Sequence, residues 1–247
     1  MIKVLLLGDQ CQDIYQYGIV TRISPEAPVP VFMHRHQDVR PGMAGNVLAN
    51  LNALGVKVDW KFGAKQSIKT RVIDLKSQQH LLRIDHDIES PPISLDGTDL
   101  AGYNAIVISD YNKGSITTEL ICEIRHRYTG PIFLDTKKTD LKNFKNVWIK
   151  INEPEYQKLT SANDHLIVTL GDQGARYQGQ VFATRHIEVV DVTGAGDTFL
   201  AALTYWYCMS ASITDAIRFA NAAAGVTVEK HGVYAPTIKE FISDIVA

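Results

Sequence analysis

Asp191-Val192-Thr193-Gly194-Ala195-Gly196-Asp197-Thr198-Phe199 is the stretch on which the reading of this chain turns. It follows a segment, His186–Val190, that reads as a strand, and it opens an apolar helical pattern running to Met209. The two glycines let the backbone turn tightly and keep side chains away from the helix start. There the free amide N–H groups and the helix dipole form an anion site, suited to charge on a phosphoryl group in transfer. Asp197 falls in the first helical turn, read as an exposed helix start, where a carboxylate can take a proton from an attacking hydroxyl. Phosphoryl transfer asks for little beyond positioning, charge neutralisation and such a base. Gly-x-Gly-Asp alone equally describes a tight turn before a helix-start carboxylate, and the full run is far more specific. No Walker-type G-x-x-x-x-G-K-[ST] occurs. The third glycine of G-x-G-x-x-G is also missing, which argues against a dinucleotide fold.

Upstream of this run, short apolar segments alternate with helical patterns. Strands are expected at Ile2–Leu7, Val56–Phe62, Ala105–Ser109, Pro131–Leu134, Val147–Ile151 and Leu166–Leu170. Between them Val47, Leu48, Leu51 and Leu54 share one helical face, as do Leu120, Ile121 and Ile124. This order implies an α/β fold, a mainly parallel sheet between helices, with ligands beyond the carboxyl ends of the strands. Two segments break the rhythm. Residues 14–40 carry Pro25, Pro28 and Pro30 among β-prone residues, and within segment 69–88 residues 69–85 alternate loosely. They are expected to form a small β-sheet lid outside the main layer of a single domain spanning 1–247. Helices are expected from Asp197 to Met209, Ile213 to Val228 and Thr237 to Val246.

The 247 residues are 45% hydrophobic and 21% charged, a globular balance, and the net charge of −2 gives no footprint for nucleic acid or an anionic membrane. The run Val4–Leu7 is too short for a signal peptide or a membrane span. Three widely spaced cysteines offer neither a disulfide framework nor metal-ligand spacing, which fits reduced thiols in a cytoplasmic protein. His34 and His36 share a strand face without a third ligand in view.

The chain resembles the ribokinase-like (PfkB) carbohydrate kinases over essentially its whole length. Residues 191–199 match that family's C-terminal signature, in which the final Asp is the base and the Gly194-Ala195-Gly196 amides form the anion hole. Gly8-Asp9 with Asp13, Pro41-Gly42-Met43-Ala44-Gly45-Asn46, and Asn152-Glu153-Pro154-Glu155 agree in order. So do Thr169-Leu170-Gly171 with Gly174, and Asn221–Gly225. Within the family the likeness is to the D-glycero-D-manno-heptose 7-phosphate kinases. It rests on Arg22–Val31, on Lys69-Thr70-Arg71 with Leu82–Asp85, and on Ser109–Gly114.

The resemblance implies a three-layer ribokinase-like fold and an ATP- and Mg²⁺-dependent sugar kinase. Asp13, Gly42 and Asn46 would meet the sugar, and Lys69, Arg71 and Arg83 would converge on its phosphate. Asn152, Lys137, Thr169, Gly171, Gly174 and Asn221 would serve the nucleotide, and Glu155 with Asn152 would organise Mg²⁺. Lys113 is a further candidate for phosphate oxygens. A homodimer through the lid is implied as well. The acceptor could instead be another sugar or a nucleoside, and a trimmed relative that binds without turnover is the non-enzyme alternative. Three departures bear on this. The expected Gly-Gly pair reads Gly42-Met43, the expected Asp-Pro-Lys-Gly reads Asp135-Thr136-Lys137-Lys138, and a helix and strand are missing after Phe62.

Overall fold

Apolar side chains stand on both faces of the first strand, so the sheet must be covered twice. The computed structural model describes residues 1–161 and 163–243. It places ten strands in one sheet: β1 (Lys3–Ile23), β2 (Pro30–Met43), β3 (Lys57–Asp74), β4 (His80–His86), β5 (Ala105–Asp110), β6 (Ile132–Thr136), β7 (Trp148–Asn152), β8 (Leu166–Thr169), β9 (Ala175–Tyr177) and β10 (Gln180–Phe182). The order across the sheet is β10-β9-β8-β7-β6-β5-β1-β3-β4, with β2 also pairing β1. The centre, from β3 through β1, β5, β6 and β7 to β8, is parallel. The pairs β1–β2, β3–β4, β8–β9 and β9–β10 are antiparallel.

Side-chain alternation sorts each strand between two cores. Val4, Leu6 and Val107 pack with helices α1 (Ala44–Ala53), α4 (Ala195–Ser210) and α5 (Ile213–Val228), through Val47, Leu51, Phe199, Leu203 and Phe219. Leu5, Leu7, Ile106 and Ile108 face the other way, toward Leu120, Ile121 and Ile124 of α2 (Thr118–Arg127). A one-turn helix, α3 (Glu153–Tyr156), follows β7. This is the expected α/β arrangement, a mainly parallel sheet between helical layers.

Three expectations need correction. First, the strands of segments 14–40 and 69–88, expected outside the main layer, are continuous with the main sheet. β1 and β3 run unbroken out of the core, and their outer halves carry β2 and β4 on either side. The missing helix and strand after Phe62 explain this for β3, since Gly63–Gln66 lead directly into the outer half. Along the inner half β3 pairs only with β1 among the described residues, and Trp60 stands exposed there, stacked on Phe62. Second, His186–Val190 is not a strand. The amides of Val190 and Asp191 both donate to the Val228 carbonyl at the end of α5, so this segment is bound to a helix instead of a strand edge. Third, a 3₁₀ turn at Ile238–Glu240, closed by a Thr237/Glu240 capping box, stands where a helix over 237–246 was expected. The last part of that expectation, residues 244–247, lies outside the described residues.

In the outer half, register sorts chemistry by face, because cross-strand partners share a face. Arg40, Asp13, Lys69 and Asp85 form one row across β2, β1, β3 and β4, and Asp38, Tyr15, Arg71 and Arg83 form the next. The opposite face carries the row Val39, Ile14, Thr70 and Ile84, followed by Gln37, Gln16, Val72 and Leu82. One face is thus charged and the other largely apolar, with Val39, Leu82 and Ile84 exposed.

Candidate active site

Helix α4 begins at Gly194, whose left-handed φ of 84° is a conformation that side chains resist. A Cβ added there would lie 2.7 Å from Asn46 Nδ2, and one added to Gly196 would lie 2.7 Å from Lys150 Nζ. Gly194 is favoured by its φ, whereas Gly196 has no such φ and is opposed only by the end of the Lys150 side chain, itself paired with Asp135. Asp197 follows in the first turn and is buried, not exposed as its place at a helix start implied. The reason is tertiary: α1 packs on α4 and the loop after β5 folds over the carboxylate.

Asp197 is held from two sides. Asn46 Nδ2 donates to Oδ2 at 2.8 Å, and the Tyr111 hydroxyl donates to Oδ1 at 3.0 Å. Asn46 is fixed in turn, since its Oδ1 accepts from Asn50 Nδ2 at 3.2 Å. Asn50 Oδ1 accepts from Thr198 Oγ1, and Thr227 Oγ1 donates to the same threonine oxygen, so a polar chain ties α1 to α4 and α5. Burial pushes the Asp197 carboxyl up to about 6. The charge of Asp135 adds to the rise, while Asn46, Lys150 and Tyr111 oppose it. A carboxyl so tuned is mostly ionised at neutral pH yet remains basic, as a general base should be.

Lys150 and Asp135 are buried neighbours that the sequence did not single out. Their ion pair spans 2.7 Å, and Asp135 Oδ1 has no hydrogen-bond partner among the described residues. Lys150 ends on a strand ordinarily filled with apolar residues, and a lysine inside such a run was the available signal. Its ammonium lies beneath Gly196, within reach of an anion held at the helix start.

The expected nucleotide residues divide. Thr169, Gly171, Gly174 and Asn221 line one cavity of about 230 Å³ together with Ala195 and Gly196. Its apolar wall includes Ile187, Val192 and Phe199, from the segment read as a strand and from the glycine run, none of which was assigned to the nucleotide. Asn221 also anchors the wall, donating to the Phe182 carbonyl at 2.7 Å. Asn152 and Lys137 are not in this lining. Asn152 caps α3 in a reciprocal box with Glu155: its Oδ1 accepts from the Glu155 amide at 2.9 Å, and the Asn152 amide donates to Glu155 Oε2 at 2.8 Å. Lys137 pairs with Glu155 Oε1. One carboxylate with both oxygens engaged fits a magnesium ion carried mainly by phosphates and water, not a closed protein cage. Among the described residues no group of three or more His, Cys, Asp or Glu is placed to hold a metal.

The expected phosphate clamp is brought to one face but not left free. Arg71 is buried against Asp13, and Arg83 grips Asp85 through two bonds of 2.8 Å. These carboxylates neutralise two of the three cations meant to converge. Lys69 forms no ion pair among the described residues, and its ammonium lies 5.6 Å from the Tyr111 ring centre. Arg71 and Arg40 both stack over Tyr15, each 5.2 Å from its ring centre. Asp13 Oδ2 abuts Gly42, where an added Cβ would lie 2.2 Å away, so Gly42 is needed for close approach. Lys113 pairs with Asp87 at 2.5 Å. Met43, standing where a glycine was expected, caps α1 with φ 54° and is buried, so this opening is narrower than a glycine would leave it.

Known proteins resemble the chain in both sequence and fold. Residues 147–240 match the pfkB family of carbohydrate kinases. The chain is 29% identical to the D-beta-D-heptose 7-phosphate kinase of Bordetella bronchiseptica, covering 98% of this chain and 96% of that one. It is 31% identical to the bifunctional protein HldE of Nitratiruptor sp., over 96% of its own length. On these matches the chain is similar to the PfkB carbohydrate kinases. It spans 64% of the length of that HldE protein and 62% of the one from Campylobacter curvus. The phosphofructokinase-2 of Escherichia coli, solved with potassium, superposes with a TM-score of 0.75 at 15% identity over the whole of both chains. The ribokinase of Thermotoga maritima gives 0.70 at 16%, covering 100% of this chain and 99% of that one. These two carry the ribokinase-like fold. No described helix is long and apolar enough to cross a membrane.

Proposed function

We propose that this chain is a PfkB-type kinase that transfers the γ-phosphate of ATP to a hydroxyl of a sugar phosphate, O1 of D-glycero-D-manno-heptose 7-phosphate. The observation that carries the reading is the position of Asp197. The residues immediately before it, Ala195 and Gly196, wall the 230 Å³ cavity, while its carboxylate meets Asn46 and Tyr111 on the other side. A nucleotide in the cavity would bring its terminal phosphate to the amides at the start of α4 and to Lys150. An acceptor hydroxyl on the side of Asp13 and Asn46 would then give its proton to Asp197 as it attacks phosphorus. The amides and Lys150 balance charge on the transferring group. Glu155 and Asn152 would hold magnesium through water at the phosphates, where it supplies charge neutralisation.

Heptose 7-phosphate is favoured because the Bordetella kinase, named for that substrate, aligns with nearly all of both chains. Lys69 is the cation best available to the sugar's existing phosphate. A second reading, a different acceptor, is favoured by the commitment of Arg71 and Arg83 to Asp13 and Asp85. Incubation with ATP and magnesium alongside heptose 7-phosphate, ribose, fructose 6-phosphate and adenosine separates them. Phosphorylation of heptose 7-phosphate to a 1,7-bisphosphate, well ahead of the others, is expected. Preference for another acceptor defeats the heptose reading alone, and no product from any acceptor defeats the kinase reading.

A further inference from the structure

We infer that Tyr111 is a positioning residue for Asp197, its phenol keeping the carboxylate ionised and aimed at the acceptor hydroxyl. The inference deepens the reading of Asp197 as the base and rests on it. Tyr111 follows β5 on a loop tied down at several points. Its amide donates to Asp9 Oδ2 at 2.8 Å, the Lys113 amide donates to the same oxygen at 3.2 Å, and the Asn112 amide donates to Asp110 Oδ1 at 2.9 Å. The ring stands between two ammonium groups, Lys69 at 5.6 Å and Lys137 at 5.2 Å from its centre. One of these belongs to the charged outer face and the other to the Glu155 side. Backbone and ring are thus both fixed, and the hydroxyl reaches Asp197 Oδ1.

The two donors divide the carboxylate between them. Asn46 takes Oδ2 and Tyr111 takes Oδ1, and each oxygen keeps a second lone pair. An arriving hydroxyl can donate to such a lone pair without displacing either bond. Both bonds favour the charged form of a group that burial pushes toward neutrality. The other groups facing Asp197 are Asp135 of β6, which opposes its ionisation, and Lys150 of β7, which favours it, with Lys137 beyond them. The phenol itself is driven well above its ordinary range by burial and by the carboxylates around it, so it remains a donor at any working pH.

Tyr111→Phe tests this, since it keeps the ring between the lysines and removes only the hydroxyl. The ionisation of Asp197 can be read without turnover. The pH dependence of unfolding is compared between proteins with Asp197 and with Asp197→Asn, in the presence of Tyr111 and of Tyr111→Phe. Loss of a hydrogen bond to the charged form should move the Asp197 midpoint up by about one pH unit. The acid limb of the kcat profile should rise by the same amount, with KM for ATP unchanged and the kcat deficit narrowing as pH increases. A purely structural role would depress kcat equally at every pH. An unmoved midpoint, or a deficit independent of pH, overturns the inference. Should the parent protein phosphorylate no acceptor, the kinase reading falls, and the unfolding midpoint still decides whether Tyr111 governs Asp197.

Discussion

Replacing Asp197 by Asn should remove turnover and, at alkaline pH, make the protein more stable. The carboxyl is buried, and burial raises it from 3.8 to about 6. Because the folded value lies above the unfolded one, the native state binds the proton more tightly. The stability this contributes is complete below 3.8 and is lost as pH rises through 6. Above pH 7 the ionised group costs the fold about 3 kcal/mol, and at pH 4 only about 0.5 kcal/mol. An amide at 197 does not titrate, so the gap between variant and parent should widen by about 2–3 kcal/mol from pH 4 to pH 8. That corresponds to about 5–10 °C in Tm for a chain of this size. The amide also fits its partners. Its oxygen can accept from Asn46, whose own orientation is fixed by Asn50, and its NH₂ can face Tyr111, whose hydroxyl turns to accept. Turnover should nevertheless fall by about 10²–10⁴-fold, because no base remains. Urea unfolding across pH 4–8 and single-acceptor kinetics measure the two halves. Stability curves that stay parallel across this range refute the burial argument, and turnover within a few-fold of the parent refutes the base assignment.

Three further outcomes are expected. Gly196→Ala places a Cβ 2.7 Å from Lys150 Nζ, and Lys150 cannot retreat without loosening its pair with Asp135. Phosphoryl transfer should therefore drop by at least about tenfold with sugar binding retained, in keeping with the size of anion-hole losses; unchanged kcat argues against an anion site there. Arg71→Ala should cost about 3 kcal/mol in chemical unfolding by leaving Asp13 buried and unpaired, whereas Lys69→Ala should leave stability unchanged and raise KM for a sugar phosphate by about tenfold. Equal effects of Lys69→Ala on phosphorylated and unphosphorylated sugars would remove Lys69 from the clamp. The exposed apolar face of the outer strands, including Val39, Leu82 and Ile84, should bury itself against a second copy. Sedimentation should show a dimer that Ile84→Glu dissociates, and a monomer at micromolar concentration would contradict it.

By itself the sequence determined the layered α/β plan and the position of the glycine-led helix start. Both are written locally, in apolar periodicity and in nine consecutive residues in which Gly194 takes the left-handed φ that starts the helix. It also brought four of the six residues expected at the nucleotide, Thr169, Gly171, Gly174 and Asn221, to one cavity, leaving Asn152 and Lys137 outside its lining. It could not determine which charges meet. Arg71 and Asp13 lie 58 residues apart, and only the parallel register of β1 against β3 makes them a buried pair. Tyr111 and Asn46 lie 86 and 151 residues from Asp197, and neither contact follows from any local pattern. The strand expected at His186–Val190 failed for the same reason, because β propensity cannot say whether a partner edge is within reach. What the tertiary structure decided was therefore the state of the charged groups. It buried Asp197, silenced two arginines and set Lys150 beneath the helix start, because solvation and pairing depend on neighbours that chain order does not specify.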